Sequence, residues 1–380
     1  MNTIPENYAS VEDMLRAKRP TEPVYCLHTA ATVSNAREFV NGFPGRVLYA
    51  VKANDYPAVI AAIHRGGVCH FDCASLPEIE TVMSTCDDAQ CYFMTPVRLR
   101  GAAFEAQARF GVRHFMIDHT SGLAPLAAEI DLTASVIFAR MAVSHPSAMQ
   151  DLSKRFGAPP EDVGPLLHAI RAAGAEPALA FNVGSTVTSP DAYRHAIAMA
   201  KAVLADLSFD IRLIDIGGGF PKSYPGFDVP PLGEYFAAIR DEVSTLPGAR
   251  NRQVLAEPGR ALAAPAVSAV IEVLLKKERR LYLNDGMYGI FWELRFKGHE
   301  RFPVRAFRDG QLLTGDAASF RLYGPTCDST DVLPGEVELP TDVRPGDYLE
   351  FSSIGAYSLT GRTDFNGHHS DQIVTLAERT

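Results

Sequence analysis

A lysine, a run of glycines, a glutamate and a cysteine–aspartate pair carry the strongest chemical signals in this 380-residue chain. The stretch Tyr49-Ala50-Val51-Lys52-Ala53-Asn54 ends an apolar run with an amine. An amine desolvated at a buried strand end has a lowered pKa and can condense with a carbonyl, whereas a surface lysine would lay its stem along the protein and keep its head in water. Asp215-Ile216-Gly217-Gly218-Gly219-Phe220-Pro221 offers backbone amides that can approach an anion with no Cβ in the way. Tight turns use such runs too, and the spacing is neither that of a Walker loop nor of a dinucleotide fingerprint. Glu257-Pro258-Gly259-Arg260 places a carboxylate that can hold a proton on a heteroaromatic nitrogen, or simply pair with Arg260. Gly324-Pro325-Thr326-Cys327-Asp328, with Asp331 close by, combines a thiol able to return a proton to carbon with a carboxylate able to hold a cation. Tyr357, in Gly355-Ala356-Tyr357, can donate to a phosphate or pack in a core.

These residues need a scaffold that brings them together. Eight short β-rich runs recur: Arg46–Lys52, His70–Ser75, Gln90–Thr95, His114–His119, Ser135–Ala142, Pro177–Gly184, Arg212–Gly219 and Arg252–Arg260. Helical patterns lie between them, at Pro57–Arg65, Leu76–Ser84, Ala102–Phe110, Val163–Ala173, Ala192–Leu207 and Leu232–Leu246. This alternation predicts an α/β fold with a (β/α)8 TIM-like barrel, whose site lies at the C-terminal ends of the strands. Lys52, Asp72, Ser75, Asp118, Arg140, Asn182, the glycines and Glu257 all stand at or near such ends. Past about Ala264 the pattern turns to strands, among them Leu281–Leu283, Phe302–Phe307, Tyr348–Ser352 and Gln372–Leu376, predicting a C-terminal all-β domain. Pro23–Leu27 is expected to return to that sheet, which divides the chain into a barrel over 28–265 and a β domain formed by 1–27 and 266–380.

With 47% hydrophobic and 21% charged residues the chain can bury a large core. A net charge of -9 argues against general attraction to nucleic acid or anionic membranes, while leaving room for one local phosphate site. Met1 to Pro20 carries Glu6, Glu12, Asp13, Arg16 and Lys18 and no apolar core, so a cytoplasmic location is expected. The six cysteines lack paired metal spacing and are expected as reduced thiols, with no metal site.

Taken together, and in order along nearly the whole chain, the motifs resemble the alanine-racemase-fold decarboxylases that use pyridoxal 5′-phosphate (PLP), most closely the ornithine decarboxylase branch with its lysine, arginine and diaminopimelate relatives. Further landmarks are Phe71-Asp72-Cys73-Ala74-Ser75, Leu152-Ser153-Lys154-Arg155-Phe156-Gly157 and Asn284-Asp285-Gly286-Met287-Tyr288-Gly289. The resemblance implies Lys52 as the Schiff-base lysine, Glu257 on the pyridine nitrogen, and Ser185, Gly218, Gly219, Arg260 and Tyr357 around the phosphate, with Asp72 and Arg140 supporting the cofactor wall. An arginine in place of Glu257 would leave that nitrogen neutral and suit racemisation instead. The resemblance also implies a head-to-tail homodimer with shared active sites, in which Cys327 protonates Cα and Asp328 binds the distal amine of a basic amino acid. L-Ornithine, giving putrescine, is the leading substrate, ahead of lysine and arginine.

Two departures stand out. Asn182, in Phe181-Asn182-Val183-Gly184-Ser185, occupies the place where the family stacks a histidine on the cofactor ring. In Phe291-Trp292-Glu293-Leu294-Arg295-Phe296-Lys297, Glu293 is the candidate for the acidic residue that holds the tail amine, and Arg295 or Lys297 there would favour a distal carboxylate. The rivals are therefore a decarboxylase or epimerase of a modified or carboxylated amino acid in a specialised pathway, and a non-catalytic regulator resembling antizyme inhibitor.

Overall fold

A computed structural model describes residues 5–248, 251–295 and 302–377. It divides into two compact units, one of Ala36–Lys222 and Val229–Ala261, the other of Met1–Asn35, Ser223–Asp228 and Leu262–Thr380.

The first unit is built on β1 (Arg46–Ala50), β2 (His70–Cys73), β3 (Gln90–Phe93), β4 (His114–Ile117), β5 (Val136–Met141), β6 (Glu176–Phe181), β7 (Leu213–Asp215) and β8 (Gln253–Ala256). All pair in parallel in chain order, and β8 closes on β1 through Leu255 opposite Arg46 and Ala256 opposite Val47. Leu48, Tyr92, Met94, Met116, Phe138, Ala178, Ala180 and Leu255 fill the interior, so the barrel is a packed core. Each large side chain among them contributes about 1.5–3 kcal/mol by leaving water. The strands are shorter at their C-terminal ends than the sequence suggests. Lys52 lies in a 3-10 turn, Val51–Ala53, and β7 stops before its glycines, because Gly217 and Gly219 take positive φ values of 70° and 100° that a strand does not allow.

Helices Pro57–Arg65, Leu76–Thr85, Ala102–Phe110, Pro160–Ala172, Asp191–Ala205 and Leu232–Ser244 follow the expected segments. Val59, Ile60, Ala62 and Ile63 show the reason in miniature: a helical period places them on one buried face. Thr29–Gly42 is also a helix, one that the sequence reading omits, since Thr, Ser, Asn and Val weaken its local signal.

In the second unit, Val24–Leu27 does return to the sheet, antiparallel to Val267–Lys277 and parallel to Gln372–Leu376. Val267–Lys277 pairs further with Tyr348–Phe351 and Arg280–Leu283, and Val304–Arg308 with Tyr348–Phe351. Helix Val11–Lys18, capped by Ser10, lays Val11, Met14 and Leu15 on Val24, Cys26, Val270 and Val374. Among the described residues no helix is long and apolar enough to cross a membrane.

Candidate active site

The barrel mouth begins with Lys52. Its neighbours Val51 and Ala53 are buried and anchor the turn, which turns the lysine outward. Nζ donates to Asp72 Oδ2 at 2.9 Å; the Asp72 side chain is 1% exposed and the Lys52 side chain 45%. This differs from the sequence expectation of a desolvated amine: an ion pair, not burial, fixes the nitrogen, and the nitrogen stays reachable. Asp72 can do this because β2 pairs it with Ala50, two residues before the lysine.

Glu78 belongs to the same cluster and is absent from the sequence-derived set. Ser75 caps helix Leu76–Thr85 by accepting from the Glu78 N–H at 3.3 Å, and Glu78 Oε2 accepts from the Ala74 N–H at 2.6 Å. Ser-x-x-Glu before an apolar helix is the capping-box signature, so the signal was there to find. Burial, followed by the nearby charge of Asp72, raises the Glu78 carboxyl to about 7, against the favourable pull of Ala74 N–H and Lys52.

Glu257 stands just past β8, 8% exposed, with its N–H donating to Gly217 O at 2.9 Å. Burial first, then the charges of Asp215 and Asp72, push its carboxyl well above the usual range, while Lys52 and Arg140 pull the other way. Those four influences show that the ends of β1, β2, β5, β7 and β8 converge. Arg140 itself lies 5.5 Å from the centre of the Phe156 ring.

The glycine turn is closely fitted. A Cβ on Gly218 would stand 2.6 Å from Glu257 O, and one on Gly219 2.7 Å from Gly184 O. Gly218 O accepts from Tyr193 Oη at 2.8 Å and Gly219 O from the Val187 N–H at 2.9 Å, so the turn's carbonyls are directed into the protein. Ser185 begins the short ladder Ser185–Val187 that pairs with Ala148–Gln150 beside this turn. Arg260, 4% exposed, opens the short helix Arg260–Ala263. Asn182 Oδ1 accepts from the Gly184 N–H at 2.9 Å, and its Nδ2 lies 3.0 Å from the place where a Gly217 Cβ would stand. The asparagine thus shapes the loops on either side of it, a task that its hydrogen-bonding amide suits better than a stacking ring would.

In the other unit, Cys327 is exposed and its Sγ donates to Asn366 Oδ1 at 3.3 Å. Asp328 accepts a short hydrogen bond from the Tyr288 hydroxyl on Oδ2, and from the Thr330 N–H and hydroxyl on Oδ1 at 2.8 and 2.9 Å. The Arg295 guanidinium covers the Tyr288 ring at 3.9 Å, and Tyr288 stacks on Phe365 with ring centres 4.3 Å apart. The Tyr288 and Thr330 hydrogen bonds, with a smaller pull from Arg295, lower the Asp328 carboxyl. Glu293 is buried in the 3-10 turn Trp292–Arg295, whereas Lys297 lies outside the described residues. Tyr357 is half-buried and adopts a positive φ of 56°, a strained value for a bulky residue and one often kept at functional positions.

All six cysteines are free thiols. His64, Cys69 and Asp88 gather ligand-type atoms within 4.8 Å, but His64 Nε2 is only 2.7 Å from Asp88 Oδ1, closer than two ligands of a tetrahedral ion stand.

An accessible, ion-paired amine at a barrel-strand end, a buried acid at the end of the neighbouring strand and a tightly fitted glycine turn together suit a phosphorylated pyridine aldehyde. Residues 29–264 match the family model for the pyridoxal-dependent decarboxylases, pyridoxal binding domain. The chain belongs to this family. Its cofactor is PLP, and it is a decarboxylase of the type that includes the ornithine, lysine and arginine enzymes. It is 31% identical over 334 residues to the lysine/ornithine decarboxylase of Selenomonas ruminantium, covering 85% of this chain and 81% of that protein. It is 29% identical over 358 residues to antizyme inhibitor 2 of Xenopus laevis, covering 86% and 74%. The crystal structure of lysine/ornithine decarboxylase complexed with putrescine from Vibrio vulnificus matches with a TM-score of 0.83 and 29% identity, over 97% of this chain and 99% of that one.

Proposed function

We propose that this decarboxylase acts on a basic L-amino acid, with L-ornithine to putrescine as the leading reaction and lysine and arginine next. The observation that carries the reading is Lys52, held at 2.9 Å by the buried Asp72 with the Glu257 acid in the same cluster. Lys52 would carry the cofactor through its amine and yield that place to the substrate amine. Bound PLP supplies the sink for the electron pair released when the Cα–carboxylate bond breaks. Glu257 would hold the proton-bearing pyridine nitrogen. Gly218, Gly219, Ser185, Arg260 and Tyr357 would surround the phosphate, with Asp72, Arg140 and Asn182 fixing the cofactor wall. Cys327 would return a proton to Cα, its thiol already oriented by Asn366. Asp328 and Glu293 would hold the tail amine. We further propose that Cys327 and Asp328 serve the barrel site of a second copy in a head-to-tail homodimer.

A second reading has its own observation in favour. Asp328 already takes three hydrogen bonds from Tyr288 and Thr330, and the exposed charge beside it is that of Arg295. This arrangement suits a modified amino acid with a carboxylate on its tail. A non-catalytic role has less support, since the lysine, glutamate and glycine turn are all in place.

Carbon dioxide release from a panel of ornithine, lysine, arginine and tail-carboxylated analogues, with product chirality followed, tests both readings. Ornithine turnover retained in Arg295→Ala supports the first; turnover confined to carboxylated substrates and lost in that variant supports the second. Lys52→Ala should abolish turnover and the cofactor's visible absorbance. Full activity in that variant would overturn the proposal.

A further inference from the structure

We propose that Asp215 is a positioning residue for Glu257: the two carboxyl groups share one proton, and Asp215 keeps it while Glu257 faces the pyridine nitrogen as an anion. The inference rests on the assignment of Glu257 to that nitrogen.

Asp215 ends β7 and is 0% exposed. Its Oδ1 accepts from the Gly217 N–H at 2.8 Å, which fixes the carboxyl plane against the glycine turn. Backbone pairing continues past the strand ends, from Asp215 opposite Leu255 to the Glu257 N–H on Gly217 O at 2.9 Å. The two acids therefore leave adjacent strands at the same end of the barrel, within hydrogen-bonding reach of one another.

Asp215 Oδ2 and Glu257 Oε1 are buried, and neither has a hydrogen-bond partner among the described residues as long as both acids are ionised. Two carboxylates have no hydrogen to offer each other. A single proton between them turns two unsatisfied oxygens into a donor and an acceptor, and like charges in contact within a protein interior do not both stay ionised near neutrality.

The groups facing this pair are Lys52 beyond β1, Asp72 on β2, Tyr92 on β3 and Arg140 on β5. Lys52 is already paired with Asp72, and Arg140 acts on Glu257 without an ion pair to either acid among the described residues. Burial lifts Asp215 to about 7 and Glu257 well above its ordinary value, and a hydrogen bond from Glu257 pulls Asp215 down, so without the ring the proton lies on the Glu257 side of the pair and the ring moves it across. A proton-bearing pyridine nitrogen can be accepted only by an anionic Glu257. The shared proton then rests on Asp215, whose O–H donates to Glu257 and keeps that carboxylate aimed. A cap for Gly217 alone would need no proton.

Infrared difference spectra of the apoprotein test this. At about pH 6, below the value near 7 to which burial pushes Asp215, the wild type should show a protonated buried carboxyl band that both Asp215→Asn and Glu257→Gln remove. Variant-minus-wild-type spectra separate this band from those of Glu78 and Asp285, also raised by burial. Asn keeps an oxygen for Gly217 and an N–H for Glu257, so Asp215→Asn should bind PLP close to the wild-type level, whereas Asp215→Ala should bind about tenfold or more weakly. Unchanged spectra in both variants, or equal PLP binding by Asp215→Ala and the wild type, would overturn the inference. If the variants do not fold, the titration of Glu78→Gln above about pH 6, past the value to which Asp285 is raised, decides, because a shared proton requires a carboxyl band that disappears there as the pH rises through neutrality. Glu257→Gln binding PLP as tightly as the wild type would instead remove the Glu257 assignment itself.

Discussion

Gly218→Ala isolates the contribution of the glycine turn to cofactor binding, because nothing but sterics opposes it. Gly218 has an ordinary negative φ, so alanine carries no backbone penalty there, yet its Cβ would stand 2.6 Å from the Glu257 carbonyl oxygen. Ordinary contacts begin near 3.4 Å, so the turn and the end of β8 must separate by a large part of the difference. Overpacking of this kind costs about 1–3 kcal/mol. If the closed turn is what the cofactor phosphate binds, the cost falls on binding, and PLP affinity should drop roughly 5- to 150-fold. The assay is equilibrium reconstitution of the apoprotein with PLP, followed by absorbance. Gly233→Ala is the control: it sits in helix Leu232–Ser244 with nothing within 4 Å of the new Cβ, and should leave affinity unchanged. Unaltered PLP affinity in a folded Gly218→Ala protein would refute the reasoning, since the phosphate would then have to be held elsewhere.

Three further outcomes follow from other contacts. The Glu78 carboxyl is raised to about 7, so the unfolded chain ionises it near 4.5 while the folded protein keeps its proton. Its share of apoprotein stability is full below about 4.5 and is lost as pH climbs towards 7, a decline of about 1–3 kcal/mol that Glu78→Gln should flatten in denaturant titrations at several pH values. Arg308 grips the buried Asp347 through two 2.8 Å bonds, so Arg308→Ala should cost about 2–3 kcal/mol in thermal or chemical unfolding, and Arg308→Lys should recover only part of it. Cys327→Ala should slow turnover by about 100-fold or more while leaving PLP binding near wild type, as measured by steady-state kinetics beside reconstitution.

The barrel was legible because its alternating runs obey two periods at once, and chemically capable residues sit where strands end. Lys52, Asp72 and Glu257 stand at such ends, the ordered motifs and the family resemblance gave them their expected roles, and the structure gathers them. Glu78 was missed although its capping box with Ser75 is written in the sequence, because a cap reads as local architecture until β2 and β1 bring Asp72 and Lys52 alongside. Asp215 was quoted as the start of a glycine motif, but its contact with Glu257 depends on β7 lying beside β8, some forty residues apart in the chain. Asp328 shows the opposite case: its charge was visible in sequence, while two of the groups around it, Tyr288 and Arg295, come from a separate loop, with Thr330 added from its own turn.

The charge balance at the barrel mouth explains why a lysine that is merely positioned, and not desolvated, suffices there. Asp72, Glu78, Asp215 and Glu257 bring four carboxyl groups near the cations Lys52 and Arg140. Were all four ionised, the cluster would carry an excess of negative charge in a largely buried setting. The raised values of Glu78, Asp215 and Glu257 mean that this excess is met by protons held in the protein. If Glu257 and the glycine turn act as proposed, a site so composed would favour a ligand that arrives with a cationic ring nitrogen, while the turn would answer the ligand's phosphate at a separate position. On the proposed assignment of Glu257 the acids would favour a protonated pyridine, while the Lys52–Asp72 pair keeps one amine fixed and accessible beside them.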